Sequence, residues 1–172
     1  MEDTTFDDTF VMLCDWRGRC AWISAGSARL KIGEFIWEHL AGDSRERARI
    51  ELGRVVALRE SRQLEVVNEG GDRIRAWLWP LDSPDVAVCV LGIRVPQSLE
   101  LLTQRERSCL ELLGQGIETR QVAKELDVSI STIHTHMKRA RQKLGLANVE
   151  ALISFAARYC YPTNRPLHEA AP

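Results

Sequence analysis

No apolar run in this chain approaches the roughly 18–20 residues that a membrane-crossing helix needs. The acidic opening MEDTTFDDTF also lacks the basic start and apolar core of a secretory leader. No membrane association and a cytoplasmic location are therefore expected. Cysteine is sparse and unpatterned: the five, Cys14, Cys20, Cys89, Cys109 and Cys160, are odd in number and show no CxxC spacing. That argues against a disulfide framework and against a zinc site. They read as buried thiols of a reducing compartment, with nothing to support redox sensing by Cys14 or Cys20. No Ser/His/Asp triad, paired catalytic carboxylates, phosphate loop or metal cluster stands out, so neither an enzyme nor a metal site is expected. Internal repeats and low-complexity stretches are missing too, and the net charge of −1 singles out no partner.

The distribution of charge says more than its sum. Residues 1–99 hold 13 Lys and Arg against 16 Asp and Glu, residues 100–160 hold 9 against 7, and residues 131–143 carry +4 with no acid. Positive charge is thus concentrated where one helix could present it. All five tryptophans (Trp16, Trp22, Trp37, Trp77, Trp79) precede residue 80. Between these regions, Arg94-Val95-Pro96-Gln97-Ser98 has the Pro and polar residues of a joint. The expected organisation is a domain over 8–95, a linker at 96–101, a second domain over 102–160 and a flexible Pro-rich tail at 161–172.

In the first domain, Phe10–Cys14 and Cys20–Ser24 read as strands around a turn at Asp15-Trp16-Arg17-Gly18. Helical spacing follows at Ile32, Phe35, Ile36, His39 and Leu40. A longer amphipathic stretch runs from Asp43 to Arg59, with Ile50, Val55, Val56 and Leu58 as its apolar side. Strand character returns over Gln63–Asn68, Arg73–Leu81 and Val86–Val95, separated by Gly70-Gly71 and Ser83-Pro84-Asp85. Two strands, helices and three strands make an α+β domain, an antiparallel sheet with helices on one face. His39 is its sole histidine; a lone helical histidine is more often structural than a haem ligand.

The second domain reads as an all-α, four-helix unit that binds DNA. Thr103 and Glu106 form a capping box ahead of Cys109, Leu110, Leu112 and Leu113, predicting a helix over Gln104–Leu113 ended by Gly114 and Gly116. Glu118 or Thr119 caps the next helix, with Val122, Ala123 and Leu126 facing inward. After the turn Leu126-Asp127-Val128-Ser129, a helix over Ile130–Leu144 puts Ile133, Met137, Ala140 and Leu144 on one stripe. The opposite face carries Ser131, Thr135, Lys138 and Gln142, flanked by His134, Arg139 and Arg141. Such a helix suits the major groove, with His134, Thr135 and Lys138 as base readers and Thr132, Arg120, Arg139 and Arg141 at phosphates. His136 borders the core stripe and reads as structural. The last helix, over 148–157, is apolar on more than one face; Val149, Leu152, Ile153 or Ala156 could form a two-fold dimer contact.

Residues 102–152 resemble the LuxR/FixJ-type helix-turn-helix. The likeness rests on Leu102-Thr103, Arg105-Glu106, Gly116, Val122-Ala123, Leu126, Val128-Ser129, Thr132-Ile133, His136 and Lys143-Leu144. It implies a module that binds duplex promoter DNA as a homodimer and acts on transcription initiation, hence with RNA polymerase. It also implies that His134, Thr135 and Lys138 occupy DNA-contacting slots. The chain departs from the family pattern at His134, where Lys is usual, at Glu118-Thr119, where Ser-Asn is common, and at Val149, where Arg is usual. Residues 8–95, with the D-x-x-G hairpin and the strand GGDRIRAWLWPL, resemble a PAS sensor domain. That likeness implies sensing or dimerisation and names no ligand, so no cofactor is expected beyond an unidentified small molecule. No receiver domain with a phosphorylatable Asp is visible.

Two other readings compete. Residues 137–144 also resemble the promoter-reading module of extracytoplasmic-function sigma factors, but those need a helical domain in front, where this chain has strand patterns. Alternatively, the basic helix binds an acidic protein surface and the chain is an interaction module.

Overall fold

Alternating inward and outward residues give the first half of the chain one sheet. Its strands are β1 (Thr9–Cys14), β2 (Cys20–Ile23), β3 (Arg62–Val67), β4 (Arg73–Pro80) and β5 (Val88–Val95). The computed structural model describes residues 8–24 and 30–160; the tail expected at 161–172 lies outside the described residues. All pairings are antiparallel, in the order β2-β1-β5-β4-β3. Register sets Phe10, Gly92, Ala76 and Leu64 in one cross-sheet row and Met12, Val90 and Leu78 in the next. Those rows form the inner face. Gly92 is required there: a Cβ would lie 2.1 Å from the Phe10 ring.

Helix α1 (Gly42–Leu58) covers that face with Ala48, Leu52 and Val55, all buried and spaced four and three residues apart. The stripe differs from the one expected, because Ile50 and Leu58 face solvent and only Val55 of the anticipated set is fully buried. The helix expected over 32–40 is not formed. That segment makes turns held by isolated bridges, Arg19 to Phe35 and Leu40 to Asn68. Glu34 and Glu38 accept from the amides of Lys31 and Phe35, three residues back. Side chains that bind local amides in this way favour turns over helix. On the outer face Glu65 is bracketed by Arg73 (2.8 Å) and the buried Arg75 (2.6 Å). Burial alone would raise the Glu65 pKa, but the two guanidiniums outweigh it and hold the carboxyl below its ordinary range.

The chain divides into two compact units between Val95 and Pro96. The segment expected as linker is ordered: Gln97–Leu101 is a 3₁₀ helix in which Leu99 is buried. Helices α2 (Gln104–Gly114), α3 (Thr119–Glu125), α4 (Ile130–Lys143) and α5 (Val149–Tyr159) follow. The capping box at Thr103 and Glu106 is present, Ser129 caps α4 through the Thr132 amide, and Asn148 caps α5 through the Ala151 amide. Leu110, Cys109, Val122, Ile133, Ala140 and Leu152 are the centre of this second core. Gly114 is the last residue of α2. A Cβ at Gly114 would lie 2.6 Å from the Ala156 backbone carbonyl carbon, so α2 and α5 cross at backbone contact.

Candidate nucleic-acid interface and interior cavity

Helix α4 sorts its side chains as the sequence spacing requires. Ile133, Met137 and Ala140 are buried, whereas Ser131, His134, Thr135, Lys138, Arg139 and Gln142 are exposed. At about 100° per residue, Ser131, Thr135, Lys138 and Gln142 fall in one band. His136 is half-buried at its edge. The N-terminal turn of α4 is hydroxyl-rich: Ser129 Oγ lies 2.7 Å from Ser131 Oγ and 2.8 Å from Thr132 Oγ1. Thr135 Oγ1 donates to the Ser131 carbonyl at 2.9 Å, which leaves its oxygen lone pairs and its methyl group facing outward.

The four cations of α4 are not equivalent. Lys143 Nζ donates to Glu106 Oε2 at 2.7 Å, and Arg141 Nη1 donates to the Ala147 carbonyl at 2.5 Å. Lys138 and Arg139 make no hydrogen bond or ion pair among the described residues, so their charge faces solvent. Lys143 counts in the +4 of residues 131–143, but in the structure it is a strut. Glu106, 3% exposed, accepts from Lys143 and from the Thr103 amide at 2.8 Å, while its own amide donates to Thr103 Oγ1 at 3.3 Å. Burial pushes the Glu106 pKa up, but these bonds outweigh it and hold the carboxyl below its usual range. A single carboxylate thus caps α2 and anchors the far end of α4.

Arg120 is exposed on α3, beside a shallow groove that also includes Lys124, Asp127 and Ser129. Lys124, exposed one turn after Arg120, is a further cation on that side that the sequence pattern did not single out, because Glu125 and Asp127 flank it. A second groove joins His134, Lys138 and Arg141 to Asn148 and Val149 at the start of α5. Of the four residues expected at a dimer contact, Leu152 (0% exposed) and Ala156 (1%) belong to the unit's own core and are unavailable. Val149 (42%) and Ile153 (39%), four residues apart, are the apolar side chains left at the surface.

Residues 100–156 match the family model described as bacterial regulatory proteins, luxR family. The C-terminal unit is a luxR-type helix-turn-helix domain. Its turn holds Asp127 at φ 52°, a left-handed conformation that Asp tolerates better than most non-glycine residues. That residue lets α3 and α4 of the luxR-type domain meet without a glycine.

In the N-terminal unit a cavity of about 240 Å³ lies between the inner sheet face and α1. Phe10, Leu64, Ala76 and Val90 give it apolar walls; His39, Asn68, Asp72 and Arg94 are its polar positions. His39 Nε2 is 3.1 Å from Glu34 Oε2 and lies in a turn, not on the helix anticipated for a haem ligand. The cavity is smaller than the roughly 300–1,000 Å³ of drug-sized sites.

Solved structures similar to the whole chain include VqmA bound to DPO, at 18% identity and TM-score 0.41, covering 84% of this chain and 83% of that one. The Vibrio cholera VqmA–ligand–DNA complex is similar at 16% identity and TM-score 0.41, over 93% and 87%. An RNA-binding light-oxygen-voltage receptor is similar at 12% identity and TM-score 0.45, over 96% of this chain and 60% of that one.

Proposed function

We propose that this chain is a sequence-specific transcription regulator that binds promoter DNA as a homodimer. The observation that carries the reading is the outer face of α4, where Lys138 and Arg139 are unpaired while Lys143 and Arg141 hold the helix in place. His134, Thr135 and Lys138 are the proposed base readers. Ser131 and Gln142 share their face, and Arg120, Thr132, Arg139 and Arg141 serve the phosphates. Lys124 joins them on the α3 side. Val149 and Ile153 supply the apolar patch for a two-fold contact. RNA polymerase is the partner through which binding acts on transcription, in the cytoplasm.

The N-terminal unit, PAS-like in its sheet-and-helix plan, is the proposed sensor, and its interior cavity supports that role. Catalysis is not part of the reading. A sigma-type reader needs a helical domain in front of its promoter module, and the sheet of residues 9–95 takes that place here.

Selection of tight-binding duplexes from a random library by the full-length protein tests the proposal. Enrichment of an inverted repeat is the expected result. No enrichment at low salt sinks the DNA-reading claim and leaves the interaction-module reading. A Val149→Glu, Ile153→Glu double variant that still binds the full repeat with unchanged cooperativity overturns the dimer assignment.

A further inference from the structure

We propose that the interior cavity of the N-terminal unit takes a compact organic monocarboxylate with an apolar body, read by Arg94; this rests on the sensing reading above. Strand alternation sets Arg94 on the inner sheet face, in line with Val88, Val90 and Gly92, and it lines the cavity. Its guanidinium has no hydrogen bond or ion pair among the described residues. Every other described arginine of this unit has a partner. Arg45 meets Glu69, Arg59 meets Asp82, Arg73 and Arg75 meet Glu65, and Arg17 lies over Trp16. Arg19, Arg47, Arg49, Arg54 and Arg62 likewise bond carbonyls or carboxylates.

The other polar groups of the wall are already used. Asn68 Nδ2 donates to Asp72 Oδ2 at 2.9 Å, the Asp72 amide donates to Asn68 Oδ1 at 2.8 Å, and His39 is engaged with Glu34. Arg94 therefore supplies unspent donors to a space whose walls are apolar apart from His39, Asn68 and Asp72. Arg94 is half-buried, and its planar guanidinium fork matches a carboxylate in two parallel hydrogen bonds. The cavity volume of about 240 Å³ keeps the occupant small. Asp72 lies two residues before Ile74, the register partner of Arg94; its negative charge opposes that of Arg94, which leaves room for one carboxylate and disfavours a dianion.

The test uses full-length protein and three matched pairs: phenylacetate with phenylacetamide, salicylate with salicylamide, and hexanoate with hexanamide. Affinity is read by tryptophan fluorescence and thermal shift for the parent, Arg94→Met and Arg94→Lys. At least one acid should bind about tenfold tighter than its amide, the scale of a charge-assisted hydrogen bond. Arg94→Met should bring acid and amide together without lowering the melting temperature of the free protein, and Arg94→Lys should keep part of the preference. Equal binding of acid and amide by the parent, or an undiminished preference in Arg94→Met, overturns the Arg94 assignment while leaving a ligand cavity. If none of the probes binds, the monocarboxylate proposal is overturned, while the sensing reading is tested separately by whether neutral apolar probes of the same size raise the melting temperature.

Discussion

Two inward-facing charged side chains, one from each unit of this protein, are treated in opposite ways. Glu106 in the luxR-type domain accepts from Lys143 and from the Thr103 amide, while its own amide donates to the Thr103 hydroxyl. Arg94 in the N-terminal unit lines a largely apolar cavity and makes no hydrogen bond or ion pair among the described residues. A satisfied buried charge fixes geometry, because removing one partner leaves the other uncompensated. An unsatisfied one is a demand on whatever enters. The difference is that the first unit leaves an arginine without a described partner at a cavity wall, whereas the second spends its buried charge on its own fold.

Several changes break or sharpen that contrast. Gly114→Leu should have the largest effect, because the new side chain meets the backbone of Ala156 and not a flexible side chain. A loss of about 3 kcal/mol, the upper end of overpacking costs, is expected in chemical denaturation of the C-terminal unit. A loss under about 0.5 kcal/mol would show that α2 and α5 part easily. Next, Lys138→Ala should weaken specific DNA binding by about 1–3 kcal/mol and relax preference at one operator position, measured by competition against mutated sites. Equal loss on all sequences would move Lys138 to the phosphates.

Glu106→Gln should cost about 1 kcal/mol, since it weakens the capping box and strands Lys143. The same group predicts a pH effect. Its folded pKa lies below the unfolded value, so its contribution is full above about pH 4.3 and is lost as pH falls through the folded value. Acid melts of the parent and of Glu106→Gln should therefore converge below that range; parallel curves would refute the assignment. The smallest and sharpest pair is Arg139→Ala against Lys143→Met. The first should lower the slope of log affinity against log salt by about 1, and the second should leave it unchanged. Cysteine chemistry offers a control: burial pushes the Cys14 thiol up to about 12 and Cys109 up to about 11. Both should resist thiol reagents at pH 8 in the native protein while reacting at once in denaturant.

The C-terminal unit was legible almost to the residue because its signals are local. A capping box, an N-cap serine and a three-four apolar spacing each act within a turn or two, and α2, α4 and α5 begin where those residues stand. What escaped was whatever depends on another element. Lys143 reads as one more cation until Glu106, 37 residues away, is placed beside it. Leu152 and Ala156 read as surface because α5 is apolar on several sides, and only the approach of Gly114 decides which side is covered. In the first unit the strands were found because alternation is also local. The turn segment after β2 was read as helix because Phe35, Ile36, His39 and Leu40 fall at helical spacing; they do so through bridges to Arg19 and Asn68, partners that no periodicity reports. Arg94 carried a signal that went unread: the alternation of β5 puts it on the inner face.

The tie between Glu106 and Lys143 reaches beyond stability. It joins the first turn of α2 to the last turn of α4, while Arg141 closes the same end onto the loop before α5. A reading helix pinned in this manner resists tilting and works as type set in a frame, printing the same character wherever it is pressed. In the homodimer proposed above, control would act on how many frames are brought to the page and at what spacing, and not on the letter itself.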